Sequence, residues 1–202
     1  MVDAMDRLAR GQATDLSSFL VSVGTEVVLD ETRAKCRCHF ITRDGNDRPR
    51  VKALAKALAE YAVDYCIPRS RIDEARQHYD ETGSTNLIVR LSDEARALFT
   101  TLDKSGEGGE MLLFLLLENL LGIPQILCKM DLKTDSRMHY HGADGVSAGV
   151  TADGILKLYW GESKIYKGAA AAIKACLVSL APFLVELDHG AGKFDPGRAG
   201  TD

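Results

Sequence analysis

The sequence predicts an α/β chain of the α+β kind, with a mixed central sheet flanked by helices. Three observations carry that expectation. Two runs near the start, Val21 to Val27 and Cys36 to Thr42, alternate or are β-branched and read as strands. A stretch led by Pro49 repeats its apolar residues at helical spacing, and a glycine-turned hairpin over 146–160 sits between two apolar helices.

The elements follow in order. Residues 1–17 are polar with little periodicity. Leu20 to Val28 alternates as a strand does, although a short helix also fits. CRCHFIT is a second strand, ended by the Asp44-Gly45 turn. Arg48-Pro49 opens a helix, because a proline in the first turn loses no hydrogen bond. Val51, Leu54, Ala55, Leu58, Ala59 and Ala62 form its apolar stripe, and it stops before Pro68. A further helix is expected from Arg69 to Tyr79, broken at Gly83-Ser84-Thr85. Asn86 to Arg90 reads as a short strand, and Ser92-Asp93-Glu94 as the cap of a helix over Ala95 to Leu102.

Asp103 to Gly106 is the expected boundary, with an N-terminal α/β region over 1–103 and a core over 104–202. Gly106 to Leu121 is a helix whose leucines surround it and predict burial on most sides. Gln125 to Met130 is a strand, and Thr134 to Met138 a polar loop. Val146 to Val150 and Ile155 to Trp160 form the hairpin around Thr151-Ala152-Asp153-Gly154. Ala169 to Glu186 is a helix with small residues at its start, suited to close packing on a sheet, that Pro182 kinks or divides. Tyr159, Trp160 and Tyr166 read as packing residues.

Composition bounds the rest. The 202 residues suffice for one ordinary core or two small ones, and 46% apolar with 27% charged fits a globular chain. Five widely spaced cysteines argue for a reducing compartment; Cys36-x-Cys38 is too tight for a usual zinc pair, and no second pair in the chain answers it. No basic start precedes an apolar segment, and LFLLLENLLGI is broken by Glu118 well short of the roughly 18 residues of a membrane span. A cytoplasmic location without membrane contact is the expectation.

The chemistry concentrates at the hairpin. Antiparallel pairing about residues 152 and 153 places residue 144 approximately opposite residue 161, so Asp144 and Glu162 meet at its open end. On a strand, Glu162 and Lys164 share a face while Ser163 points away. Two carboxylates with the Ser163 carbonyl offer hard oxygen ligands for Mg2+ (or Mn2+), and Lys164 can steady charge on a phosphoryl group. Glu107 and Glu110 are neighbours on the preceding helix, and Glu110 is the expected contributor. His139 and His141 suit a structural or phosphate-contacting role beside Asp144 better than zinc binding with His189.

The net charge of −4 makes no global case for nucleic acid. Locally, Arg33, Lys35, Arg37, Arg43, Arg48, Arg50, Lys52 and Lys56 stand against Asp44 and Asp47. Alternation would put Arg33, Lys35 and Arg37 on one strand face. This stretch, with His141, is the candidate contact for DNA or a partner, the alternative being a solvated face.

Glu110, Asp144, Glu162 and Lys164 resemble the PD-(D/E)xK nuclease superfamily, with Ala143 where the motif has proline. More narrowly, the GEGGE, HGADG and WGESK segments resemble the HamA family, the nuclease subunit of the Hachiman antiphage defence system. The resemblance is strongest over residues 104–190. It implies a restriction-endonuclease-like core and a DNA-cleaving subunit held inactive by a helicase partner resembling HamB. It also implies a domain that continues past this chain, so the polar tail AGKFDPGRAGTD is expected to mark a truncation or frameshift. Two alternatives stand beside it: a catalytically inactive nuclease-fold protein that binds DNA or a helicase, and a structural protein whose acids are solvated strand ends.

Overall fold

The computed structural model describes residues 16–29, 31, 33–99, 106–127 and 144–190, with side chains as far as 182. Strands β1 (Leu20–Val28) and β2 (Lys35–Ile41) form an antiparallel pair. The register slips between Val23 and Val27, where Gly24 takes a positive φ of 68°. Before β1, Leu16 sits in a short 3-10 turn and is buried, so the polar start already contributes to the core. After β2, the Asp44 carboxylate accepts hydrogen bonds from the amides of Asn46 and Arg48, which makes the expected turn. Pro49 lies outside the following helix and bridges to Arg43 instead.

The apolar stripe from Val51 forms α1 (Val51–Glu60), which breaks at Tyr61 and resumes as α2 (Ala62–Cys66) before Pro68. Helix α3 (Arg69–Thr82) ends at Gly83, whose φ of 72° closes it in the left-handed region. Helix α4 (Asn86–Leu98) corrects two expectations. Asn86 to Arg90 is not a strand but the start of this helix, and Ser92-Asp93-Glu94 lies inside it, not at its cap. Leu87, Leu91 and Ala95 recur at four-residue spacing, and Leu91 and Ala95 are buried, so the longer helical period outweighs the short β-branched run. Glu94 is used across the helix pair, where Arg71 donates two hydrogen bonds to it at 2.6 and 2.7 Å.

Helix α5 (Glu107–Leu121) joins the two halves of the chain. Its Met111, Phe114 and Leu115 enter the core formed by Tyr65, Cys66, Ile67, Leu91 and Ala95. From Met111 to Asn119 every residue is buried or half-buried, as the surrounding leucines suggested, and the last turn, Leu120 and Leu121, is exposed. Strands β3 (Gln125–Leu127), β4 (Gly145–Val150) and β5 (Leu156–Gly161) make a second sheet in that order. Among the described residues both sheets are antiparallel, so the architecture is α/β with antiparallel sheets flanked by helices, and the expected mixed sheet is not formed.

Helix α6 (Ala169–Gly190) continues through Pro182 undivided. Its small-residue start does not pack closely: Ala169 to Ala171 are exposed, as are Ile173, Leu177 and Val178. Tyr159 and Tyr166 are also exposed, contrary to a packing role. Among the described residues no helix is long and apolar enough to cross a membrane.

The Arg71–Glu94 pair gives a stability test. Its hydrogen bonds hold the Glu94 carboxyl below the usual carboxylate range, against a smaller desolvation effect. A lowered value means that the contribution is present above the ordinary carboxylate range and fades as pH falls through the lowered one. Because both partners are more than a third exposed, Glu94→Gln should cost only about 0.5–1 kcal/mol at pH 7. Urea unfolding should show that gap closing as pH falls below the ordinary Glu value of roughly 4.3.

Candidate functional site

The hairpin forms with Gly145 opposite Gly161 and Val150 opposite Leu156. Its centre falls at residue 153, so Asp144 extends the pairing towards Glu162 instead of residue 161. The turn is closed by the Gly154 amide donating to the Thr151 carbonyl at 2.9 Å, with Gly154 at φ 79°. Strand β5 ends at Gly161, and Glu162 to Lys164 lie just beyond it. There the Ser163 amide donates to Asp144 Oδ2 at 2.8 Å, a carboxylate taking the place of a strand carbonyl. Asp144 and the E-x-K segment are thereby fastened together.

Lys164 Nζ donates to Glu162 Oε1, so the two charged side chains of E-x-K meet as the strand period suggested. The Glu162 side chain is 3% exposed and that of Lys164 29%. Hydrogen bonding to Glu162 pushes the Lys164 ammonium up; desolvation opposes this, while the charges of Glu162 and Asp144 add to it. The charged form of Lys164 is thereby favoured. Glu162 Oε2 is buried and has no hydrogen-bond partner among the described residues. A buried carboxylate oxygen left in this state is costly unless a cation or a donor meets it.

The wall of the site is α5, and two glycines set its distance. A Cβ on Gly109 would stand 2.5 Å from Ser163 Oγ and 3.1 Å from Ile165 Cδ1, and one on Gly161 would stand 2.9 Å from Leu113 Cδ2. One residue on, Glu110 Oε2 accepts a hydrogen bond from the Tyr65 hydroxyl at 3.2 Å. Tyr65 is 1% exposed, and burial first, then the Glu110 charge and more weakly that of Asp144, push its hydroxyl up out of the titrating range. Tyr65 thus lies in the field of both acids. Glu107 is buried one turn earlier, and Glu118 accepts from the Gln125 amide, where it fixes the start of β3.

Tyr65 and Cys176 are the additions that sequence reasoning missed. Tyr65 extends the α1 stripe three residues past Ala62, and a tyrosine on a buried stripe needs a partner for its hydroxyl. Cys176 on α6 donates weakly to the Glu162 carbonyl at 3.7 Å; burial pushes its thiol up, and the Glu162 charge adds to this. No spacing in the sequence announced that contact.

The basic stretch is largely engaged within the chain. Lys35 and Arg37 both pair with Glu26, at 2.8 and 2.6 Å, and Arg43 pairs with Asp47. Arg50 donates to the Ser18 carbonyl and lies 5.7 Å from the Phe19 ring centre. Arg33 precedes β2 in a bend, so it does not share a strand face with Lys35 and Arg37. Arg48 and Lys52 are exposed. His139 and His141 lie outside the described residues, as do Cys128 to Ala143 as a whole.

The donor set shows which ion it could hold. Among the described residues no three His, Cys, Asp or Glu side chains gather as a metal group. That falls short of the three or four protein ligands of zinc. Mg2+ asks for less, commonly one or two carboxylates with retained waters. Asp144 and the unpartnered Glu162 oxygen, with the Ser163 carbonyl, fit that demand.

Three substitutions test this geometry. Gly108→Ala meets nothing within 4 Å and should stabilise by about 0.5 kcal/mol through helix propensity. Gly109→Ala gains the same propensity but must displace Ser163 and Ile165, and should lose about 1–3 kcal/mol; thermal unfolding compares the two. Tyr65→Phe should cost about 1.5–3 kcal/mol, the loss of a hydrogen bond to a charged acceptor, with the fold retained by circular dichroism.

A family model described as HamA matches residues 17–191, a span that covers both sheets and every residue of the site. No curated protein and no solved structure matches the chain. The chain belongs to the HamA family.

Proposed function

We propose that this chain is a metal-dependent deoxyribonuclease that hydrolyses phosphodiester bonds as the effector of an antiphage defence system. The observation that carries this reading is the hairpin register, which brings Asp144 to the E-x-K segment, where a buried Glu162 oxygen has no partner among the described residues. Membership of the HamA family supports the defence role.

Asp144, Glu162 and the Ser163 carbonyl would hold Mg2+ (or Mn2+), which when bound polarises the scissile phosphate and lowers the pKa of an attacking water. The Ser163 amide holds Asp144 in orientation. Lys164, kept charged by Glu162, has enough exposure to turn from that carboxylate towards a phosphoryl oxygen and stabilise charge as it develops. Glu110, steadied by Tyr65, accepts a hydrogen bond from the water and sets its line of attack. Exposed Arg48 and Lys52 supply backbone contact for DNA, and a helicase subunit resembling HamB is the partner that controls access.

A plasmid-degradation assay tests this, run with Mg2+ and with EDTA, with and without the helicase subunit. Wild type should cut only with the metal, and Glu162→Ala/Lys164→Ala should lose at least about 100-fold in rate. Equal cutting by both proteins would remove the site from the reaction. Metal-independent silence of the wild type, alone and with the helicase, would favour the inactive nuclease-fold alternative.

A further inference from the structure

The outer face of the β1–β2 hairpin is used neither by the core nor by the proposed chemistry. Residues directly opposed in an antiparallel pair point to the same side. The register opposes Val21 to Phe40, Val23 to Cys38 and Val27 to Cys36, so these six share one face. The valines and the phenylalanine are 39–54% exposed, and both cysteines are exposed and free. On the opposite face, Lys35, Arg37 and His39 line a cavity of about 590 Å³ against the leucines of α5. The hairpin therefore sets its charged side towards α5 across an open cavity, with Lys35 and Arg37 still exposed, and its apolar side to water. A contiguous exposed apolar face marks an interaction surface.

The two thiols identify what closes it. Cys36 Sγ and Cys38 Sγ stand 3.9 Å apart. Two residues along a strand separate Cα atoms by about 6.6–6.8 Å, at the outer limit for a disulfide, so the pair stands as a dithiol. Zinc–thiolate bonds of about 2.3 Å in a tetrahedron place neighbouring sulfurs about 3.8 Å apart. The pair already spans one edge of such a site. Hydrogen bonding to Cys38 and its charge push the Cys36 thiol up, a repulsion that a dication between them relieves. Structural zinc takes four ligands, and among the described residues no third His, Cys, Asp or Glu groups with these two. A second copy of the chain offers the missing pair on the same face, and an isologous contact closes on itself by a two-fold axis.

We propose that Cys36 and Cys38 form half of a four-thiolate zinc site, completed by the same pair of a second copy, with the surrounding valines and Phe40 buried between the two hairpins. The site lies apart from Asp144 and Glu162, and the proposal is independent of the nuclease reading. It answers the lack of a second pair in the chain, because another molecule supplies it, and the 3.9 Å between the sulfurs meets the objection of tight spacing.

The full chain, stripped of metal under reducing conditions, is titrated with zinc chloride and followed by light scattering and metal analysis. Wild type should double in mass and return to the single-chain mass with a chelator. It should also hold half an equivalent of zinc per chain more than Cys36→Ser or Cys38→Ser, neither of which should dimerise. Cobalt(II) in place of zinc should give thiolate charge-transfer bands that both variants lack. A wild type that keeps its single-chain mass at saturating zinc overturns the proposal. So does a dimer that survives in Cys36→Ser/Cys38→Ser, or a cobalt spectrum without thiolate bands.

Discussion

The close approach of α5 to residues 161–165 is the constraint on which the rest depends. Gly109 and Gly161 leave no room for a side chain between helix and hairpin end. The same helix commits Met111, Phe114 and Leu115 to the core built with Tyr65 and α4. A helix fixed on one side by packing and on the other by glycine contact transmits its position directly to Glu162 and Lys164. Interiors are packed densely enough that a methyl group at either glycine is felt.

Electrostatics follow from that placement. Glu162 is enclosed, and one oxygen is met by Lys164 while the other meets no donor among the described residues. Tyr65, fully buried, brings a hydroxyl from the N-terminal half of the chain to Glu110 and into the field of Asp144. Acidic groups are thus collected from α5, from the start of β4 and from beyond β5. Among the described residues Glu162 Oε2 meets no donor, a condition that a divalent ion relieves.

Much of this was legible in the sequence, for specific reasons. The Thr151–Gly154 turn fixes the hairpin, and a period of two then carries Asp144 to Glu162; the one-residue error in register came from misplacing the turn centre. The strand reading of Asn86 to Arg90 failed because five residues rich in Ile and Val carry too short a pattern to reveal the four-residue repeat that continues to Ala95. Tyr65 and Gly109 were not legible as site residues, since their importance lies in what stands opposite them in space. The basic stretch misled in another way: its charges are visible in sequence, but Glu26, which takes up Lys35 and Arg37, comes from the other strand at a bulge.

The central claim is that Asp144 and Glu162 hold a divalent ion beside Lys164. Mn2+ binding followed by electron paramagnetic resonance tests it most directly, comparing wild type with Asp144→Asn and Glu162→Gln at equal chain concentration. The account predicts one bound Mn2+ per wild-type chain and its loss in both variants, with folding unchanged by circular dichroism. Equal Mn2+ binding by all three proteins would contradict it.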